Sequence, residues 1–127
     1  EERARTVYRV LSMIAAGLGP AASTDMTGIY LGNINPFKAM AAVITRQSDS
    51  GVFEPQEAVP VEDAVRMWTI WGARAIGEGS NRGSIEVGKL ADMTVLSDDI
   101  YTIPPEQIAT VQAEHTIVGG RIVYSRQ

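Results

Sequence analysis

The stretch Gly83-Ser84-Ile85-Glu86-Val87-Gly88-Lys89-Leu90-Ala91-Asp92-Met93-Thr94-Val95-Leu96 decides how this chain is read. Its spacing predicts a tight β-corner running into a strand. Gly83 and Gly88 permit the sharp turns, Ile85 and Val87 alternate ahead of the second of them, and Lys89 is expected in solvent. Asp92 can accept from turn amides just before the strand 93–96. Each residue here has a structural reading, and none has the look of a catalytic group.

Downstream, residues 111–118 and 122–124 flank Gly119-Gly120. A two-residue primed turn needs positive φ at both central positions, which glycine supplies, so these segments predict a hairpin. Upstream, the pattern is helical. Val7, Val10, Leu11, Ile14 and Leu18 recur at three- and four-residue spacing, predicting a helix over 3–16 that stops at Gly17. Residues 18–22, small and apolar without alternation, read as a strand buried on both faces and ending in Ser23-Thr24-Asp25. Asn35-Pro36 marks a second helix start, with Phe37, Met40, Val43 and Ile44 on one face, lasting to about Gln47 and ended by Ser48-Asp49-Ser50-Gly51. Glu62-Asp63 suits the dipole of a third helix beginning near Val61, which by spacing buries Ala64, Val65, Trp68, Trp71 and Ala75 before Gly77 and Gly79 close it. The change of character after Gly79 divides the chain into residues 1–79, an α/β part, and residues 80–127, a small antiparallel β part.

Composition narrows the function classes. With 45% hydrophobic and 20% charged residues the 127-residue chain is ordinary for one globular domain, and its net charge of −4 offers no basic footprint for nucleic acid or an anionic membrane. The absence of cysteine excludes disulfides and thiolate metal sites, and it accords with a cytoplasmic setting. No apolar run reaches the ~20 residues that span a bilayer. Helical periodicity begins at the first residues with no initiating Met, so the chain is expected to be a piece of a longer protein.

The string 83–96 closely resembles the segment with which chains of the amidohydrolase superfamily return to their small C-terminal β-sandwich. The run from Thr116 through Gly119-Gly120 to Tyr124 resembles that family's last hairpin. Asn35-Pro36 followed by Ala42-Val43-Ile44-Thr45-Arg46, and then Glu62-Asp63-Ala64-Val65 to Ala73-Arg74-Ala75, resemble the closing helices of its YtcJ-like, or amidohydrolase 3, branch. The resemblance implies the last part of a (β/α)8 barrel of a metal-dependent hydrolase (1–79), joined to part of the flanking sandwich (80–127). It implies a parent that hydrolyses an amide-like C–N bond of a small molecule with a metal-activated water.

Asp25 is where that chemistry enters. A lone Asp after a strand is ordinarily a turn or capping residue. The resemblance places Ser23-Thr24-Asp25 where the family has Gly-Ser-Asp, whose aspartate binds the catalytic metal, zinc being expected, and handles the proton of the attacking water. Arg46 could hold a substrate carboxylate as a planar bidentate donor, although a solvated helix end is its plainer reading. His115, the single histidine, reads as a strand or surface residue, since one ligand is fewer than a catalytic zinc needs. Trp68 and Trp71 read as core. The isolated chain is accordingly expected to bind no metal, to be inactive and to self-associate through its unpaired strand. A binding or regulatory module derived from the same fold, without chemistry, is the competing reading.

Overall fold

The computed structural model describes residues 7–24 and 34–127. Along them run α1 (Val10–Ala15), α2 (Pro36–Thr45), the short strands β1 (Gln47–Ser48) and β2 (Gly51–Val52), α3 (Val61–Trp68), α4 (Ile70–Ala75), β3 (Met93–Leu96), β4 (Ala113–Val118) and β5 (Arg121–Ser125). Two 3-10 turns, Pro55–Glu57 and Pro105–Thr110, complete the set. The result is a mixed α/β arrangement with two small antiparallel sheets, the pair β1-β2 and the sheet β3-β4-β5.

Local chemistry explains the element ends. The Asn35 side chain accepts from the Phe37 amide at 2.9 Å while Pro36 occupies the first turn, as the sequence predicts for α2. At the end of α1, Gly17 (φ 82°) lets its own amide donate to Ile14 and that of Leu18 to Met13, so two otherwise orphaned carbonyls are satisfied. Gly77 (φ 78°) repeats the arrangement after α4, with Gly77 donating to Arg74 and Glu78 to Ala73. The third predicted helix is divided. At Thr69 the backbone leaves the helical region (φ −126°, ψ −100°) and the hydroxyl donates back to the Val65 carbonyl at 2.7 Å. Gly83 crosses this joint so closely that a Cβ on it would stand 2.8 Å from Ile70 Cα and 3.1 Å from the Thr69 carbonyl oxygen.

The core gathers Met40, Ala41 and Ile44 of α2, Val59 ahead of α3, Ala64 and Met67 within α3, and Ile100, Ile108 and Val111 from beyond residue 79. Ile108 and Val111 are fully buried, and each contributes roughly 1.5–3 kcal/mol through that burial. Trp68 and Trp71 pack against this cluster, as their spacing predicts.

Four expectations are corrected. Residues 18–24 form no strand; the Ala22 amide donates to the Met67 carbonyl at 3.1 Å, and the segment lies over the Trp71 ring, from which a Cβ on Gly19 would be 3.1 Å. A strand of that kind needs parallel neighbours, and none lies beside it among the described residues. Among the described residues the first helix starts at Val10, because Tyr8 adopts a positive φ of 56° that no right-handed helix accommodates; residues 3–6 of the predicted helix lie outside the described residues. Ala75 is exposed, and the buried residues that the spacing does not pick out are Met67, before the break at Thr69, and Ala73, after it. Ile85 and Val87 stand in solvent on a turn and belong to no strand.

By contrast, β3 occupies the predicted residues 93–96, and β4 and β5 meet at Gly119 (φ 56°) and Gly120 (φ 77°) in the predicted hairpin. An irregularity on this pair, between Thr116↔Tyr124 and Ile117↔Ile122, leaves Val123 without a direct partner.

Candidate functional site

Asp25 lies outside the described residues; its approach does not. From the Gly17 turn, residues 18–24 run past Trp71 to the hydrogen bond between Ala22 and Met67. Among the described residues no three His, Cys, Asp or Glu side chains gather where they could hold a metal ion.

Arg46 is neither a solvated helix end nor a dangling cation. It caps α2 in the left-handed conformation (φ 57°) and is 8% exposed. Its Nε donates to the Phe53 carbonyl at 3.0 Å and a terminal nitrogen to the Tyr8 carbonyl at 3.4 Å, while the guanidinium stands over the Phe53 ring, 5.7 Å from its centre. The Phe53 amide returns a bond to the Arg46 carbonyl at 2.9 Å, which zips α2 to the strand pair β1-β2. His115 lies in β4 with its Nδ1 3.0 Å from the Ser125 hydroxyl, a cross-strand pair.

Two polar clusters escaped the sequence reading. Glu57, 6% exposed, accepts from the Ser12 amide at 2.9 Å and from the Ser12 hydroxyl, with Arg9 Nε at 3.5 Å. The Ser12 hydroxyl chiefly, then the Ser12 amide, hold its carboxyl below the ordinary value, with burial opposing and Arg9 assisting. No signal in the sequence pairs two residues so far apart. Lys89, expected in solvent, is instead drawn inward, its Nζ donating to the Gly79 carbonyl at 2.9 Å and the Ser84 hydroxyl at 2.6 Å. Ser84 in turn donates to Glu86, whose carboxyl is lowered first by that hydroxyl and then by the Lys89 charge. Through these two donated bonds the ammonium bolts the corner 79–89. Asp92 Oδ1 accepts from the Gly119 amide at 2.8 Å, so the turn it serves is the terminal hairpin.

Between the helices and the sheet β3-β4-β5 opens a groove of about 1520 Å³, lined by Phe37, Met40, Trp68, Leu96, Tyr101 and Ile117 among others. Its wall is mostly apolar, with Arg82, Asp92, Asp98 and Asp99 among the charged residues on it.

Comparison with known proteins identifies the family. The sequence profile of the amidohydrolase family matches residues 1–124, so the chain belongs to the amidohydrolase family, in its YtcJ-like branch. It is 35% identical over 121 residues to an N-substituted formamide deformylase of Arthrobacter pascens, covering 94% of this chain and 22% of that protein. It is 27% identical over 130 residues to YtcJ of Bacillus subtilis strain 168, covering 99% of this chain and 24% of that protein. An imidazolonepropionase of Bacteroides fragilis is 34% identical over 112 residues, 87% of this chain and 24% of the relative. The chain thus spans about a quarter of the length of these relatives. No helix among the described residues is long and apolar enough to cross a membrane.

Proposed function

We propose that this chain is the C-terminal part of a metal-dependent amidohydrolase that hydrolyses a C–N bond of a small amide-like molecule. The observation that carries the reading is the 35% identity to the formamide deformylase across nearly all of the chain. On it, residues 1–79 close a (β/α)8 barrel and residues 80–127 supply part of a flanking β-sandwich. A divalent ion, zinc in this reading, supplies Lewis-acid chemistry when bound, and most of its ligands lie outside this chain, with Asp25 as the contribution from within it. Asp25 also takes the proton from the attacking water and passes it to the leaving amine. Arg46, as a substrate-carboxylate donor, would have to exchange its bonds to Phe53 and Tyr8 for that role, so the structural assignment is the better supported.

The test uses the whole protein from which the chain comes, purified with zinc and assayed on simple N-substituted formamides, cyclic amides and N-acyl amines. Turnover that falls by about a thousandfold in Asp25→Asn, with the fold retained, supports the reading. Absence of turnover on every class, or an Asp25→Asn variant with ordinary kcat, overturns it and favours a non-catalytic binding module.

A further inference from the structure

Arg46 and Glu57 are the two charged side chains that are buried among the described residues, and each sends a bond to the start of α1. Arg46 reaches the Tyr8 carbonyl, two residues before α1, and Glu57 takes the amide and hydroxyl of Ser12, the third residue of α1. Neither partner is near in sequence, at separations of 38 and 45 residues. The backbone around this locus is held in unusual conformations. The three non-glycine residues with positive φ among the described ones are Tyr8 (56°), Arg46 (57°) and Glu54 (45°). Tyr8 supplies one carbonyl bound by Arg46, and Glu54 directly follows Phe53, which supplies the other. Such conformations persist only where surrounding contacts over-determine them.

We propose that Arg46 and Glu57 are positioning residues that hold the start of α1, Arg46 at Tyr8 just ahead of it and Glu57 at Ser12 within it, and thereby fix where residues 18–24 follow that helix. α1 is only six residues long and has no capping side chain of its own, so its place in the fold depends on contacts made from outside it. Its C-terminal turn at Gly17 passes that placement on to the segment lying over Trp71. On the hydrolase reading above, on which this extension rests, that segment is the approach to Asp25. Arg46 and Glu57 then act through backbone placement and touch neither substrate nor metal.

Amide hydrogen exchange on the 127-residue chain tests the clamp. In Arg46→Met and in Glu57→Leu, amides of residues 12–18 should exchange about tenfold faster or more, since each loses a charge-assisted bond from a partly buried site. Arg46→Lys, which keeps the charge, and Glu57→Gln, which keeps an accepting oxygen, should show smaller increases, giving a graded response even where the apolar variants fold poorly. Amides of β4 and β5 should keep their protection within about twofold in every variant, because local opening leaves a distant sheet unaffected. Unchanged exchange at 12–18, or equal loss in β4 and β5, would overturn the proposal, the first by showing no clamp and the second by showing a merely global contribution. The measurement needs neither metal nor substrate, so its failure is separate from failure of the hydrolase reading.

Discussion

Ser12 gives both its backbone amide and its hydroxyl to the carboxylate of Glu57, so an acid on a distant 3-10 turn does the work of a helix cap. The negative charge also sits at the favourable end of the α1 dipole. Its carboxyl is depressed below the ordinary 4.5 in the folded chain. A depressed carboxyl contributes stability that is present above its unfolded value and lost as pH falls through its folded one. Urea unfolding should therefore show wild type more stable than Glu57→Gln at pH 7, with the gap closing as the pH is lowered below 4.5. A gap that is constant across this window would show that the charge is not what Ser12 recognises.

The two glycines of the corner motif separate strain from crowding. Gly83 (φ 94°) and Gly88 (φ 92°) share a conformation that L side chains seldom adopt, but a Cβ on Gly83 would stand 2.8 Å from both Ala73 Cβ and Ile70 Cα, whereas one on Gly88 meets nothing within 4 Å. Gly88→Ala should cost about 1 kcal/mol, from the backbone alone. Gly83→Ala should cost about 3 kcal/mol or more, because overpacking against the α3–α4 joint adds to the same strain. Chemical denaturation of both variants is the check; equal losses would remove the close crossing from the account.

Lys89→Met should destabilise the chain by about 1–3 kcal/mol, since it abandons the Gly79 carbonyl and the Ser84 hydroxyl at a side chain only 12% exposed. Ser84→Ala should lose less, because the ammonium keeps its bond to Gly79. Thermal unfolding of the two variants side by side reads the difference. A neutral Lys89→Met would mean that the lysine is solvated after all.

Self-association is expected at micromolar concentration. Among the described residues β5 is one edge of its sheet, β3 being the other, with Ile122, Val123 and Tyr124 in sequence at 61, 62 and 50% exposure, and edges of this kind template pairing with a second copy. Light scattering coupled to size exclusion should report a dimer or larger species that shifts toward monomer in Val123→Lys. A sharp monomer peak for the wild-type chain would contradict this.

Zinc should not be retained stoichiometrically by the 127-residue chain after dialysis, because a single aspartate falls short of the several ligands that a tight site requires. Elemental analysis measures it. One zinc per chain, lost in Asp25→Ala, would mean that the ligand set had been misjudged.

What was legible in the sequence was what neighbours in sequence decide. Asn35-Pro36 starts a helix and Gly119-Gly120 closes a hairpin because turn and cap chemistry acts over two to four residues, and the structure has both. The pattern around Trp68 and Trp71 likewise reports a buried face. Residues 18–22 were misread because a run of small apolar residues is a strand only if strands lie beside it; here Gly19 uses its missing side chain to lie against Trp71. Lys89 was misread because the corner brings the Gly79 carbonyl and the Ser84 hydroxyl around it, which no exposure rule foresees. Arg46 and Glu57 find partners 38 and 45 residues away, a separation at which no periodicity speaks. The role of Asp25 came from likeness to a family rather than from its surroundings, as it lies outside the described residues.

The apolar cluster that joins Met40, Ala41 and Ile44 to Ile108 and Val111 runs straight across the change of character at residue 79. Severing the chain there would leave two polypeptides, each with half a core turned to water, and each holding the surface that the other lacks. Such halves are suited to reassemble when mixed. Expressed from separate genes, residues 1–79 and 80–127 should therefore co-purify through that shared seam.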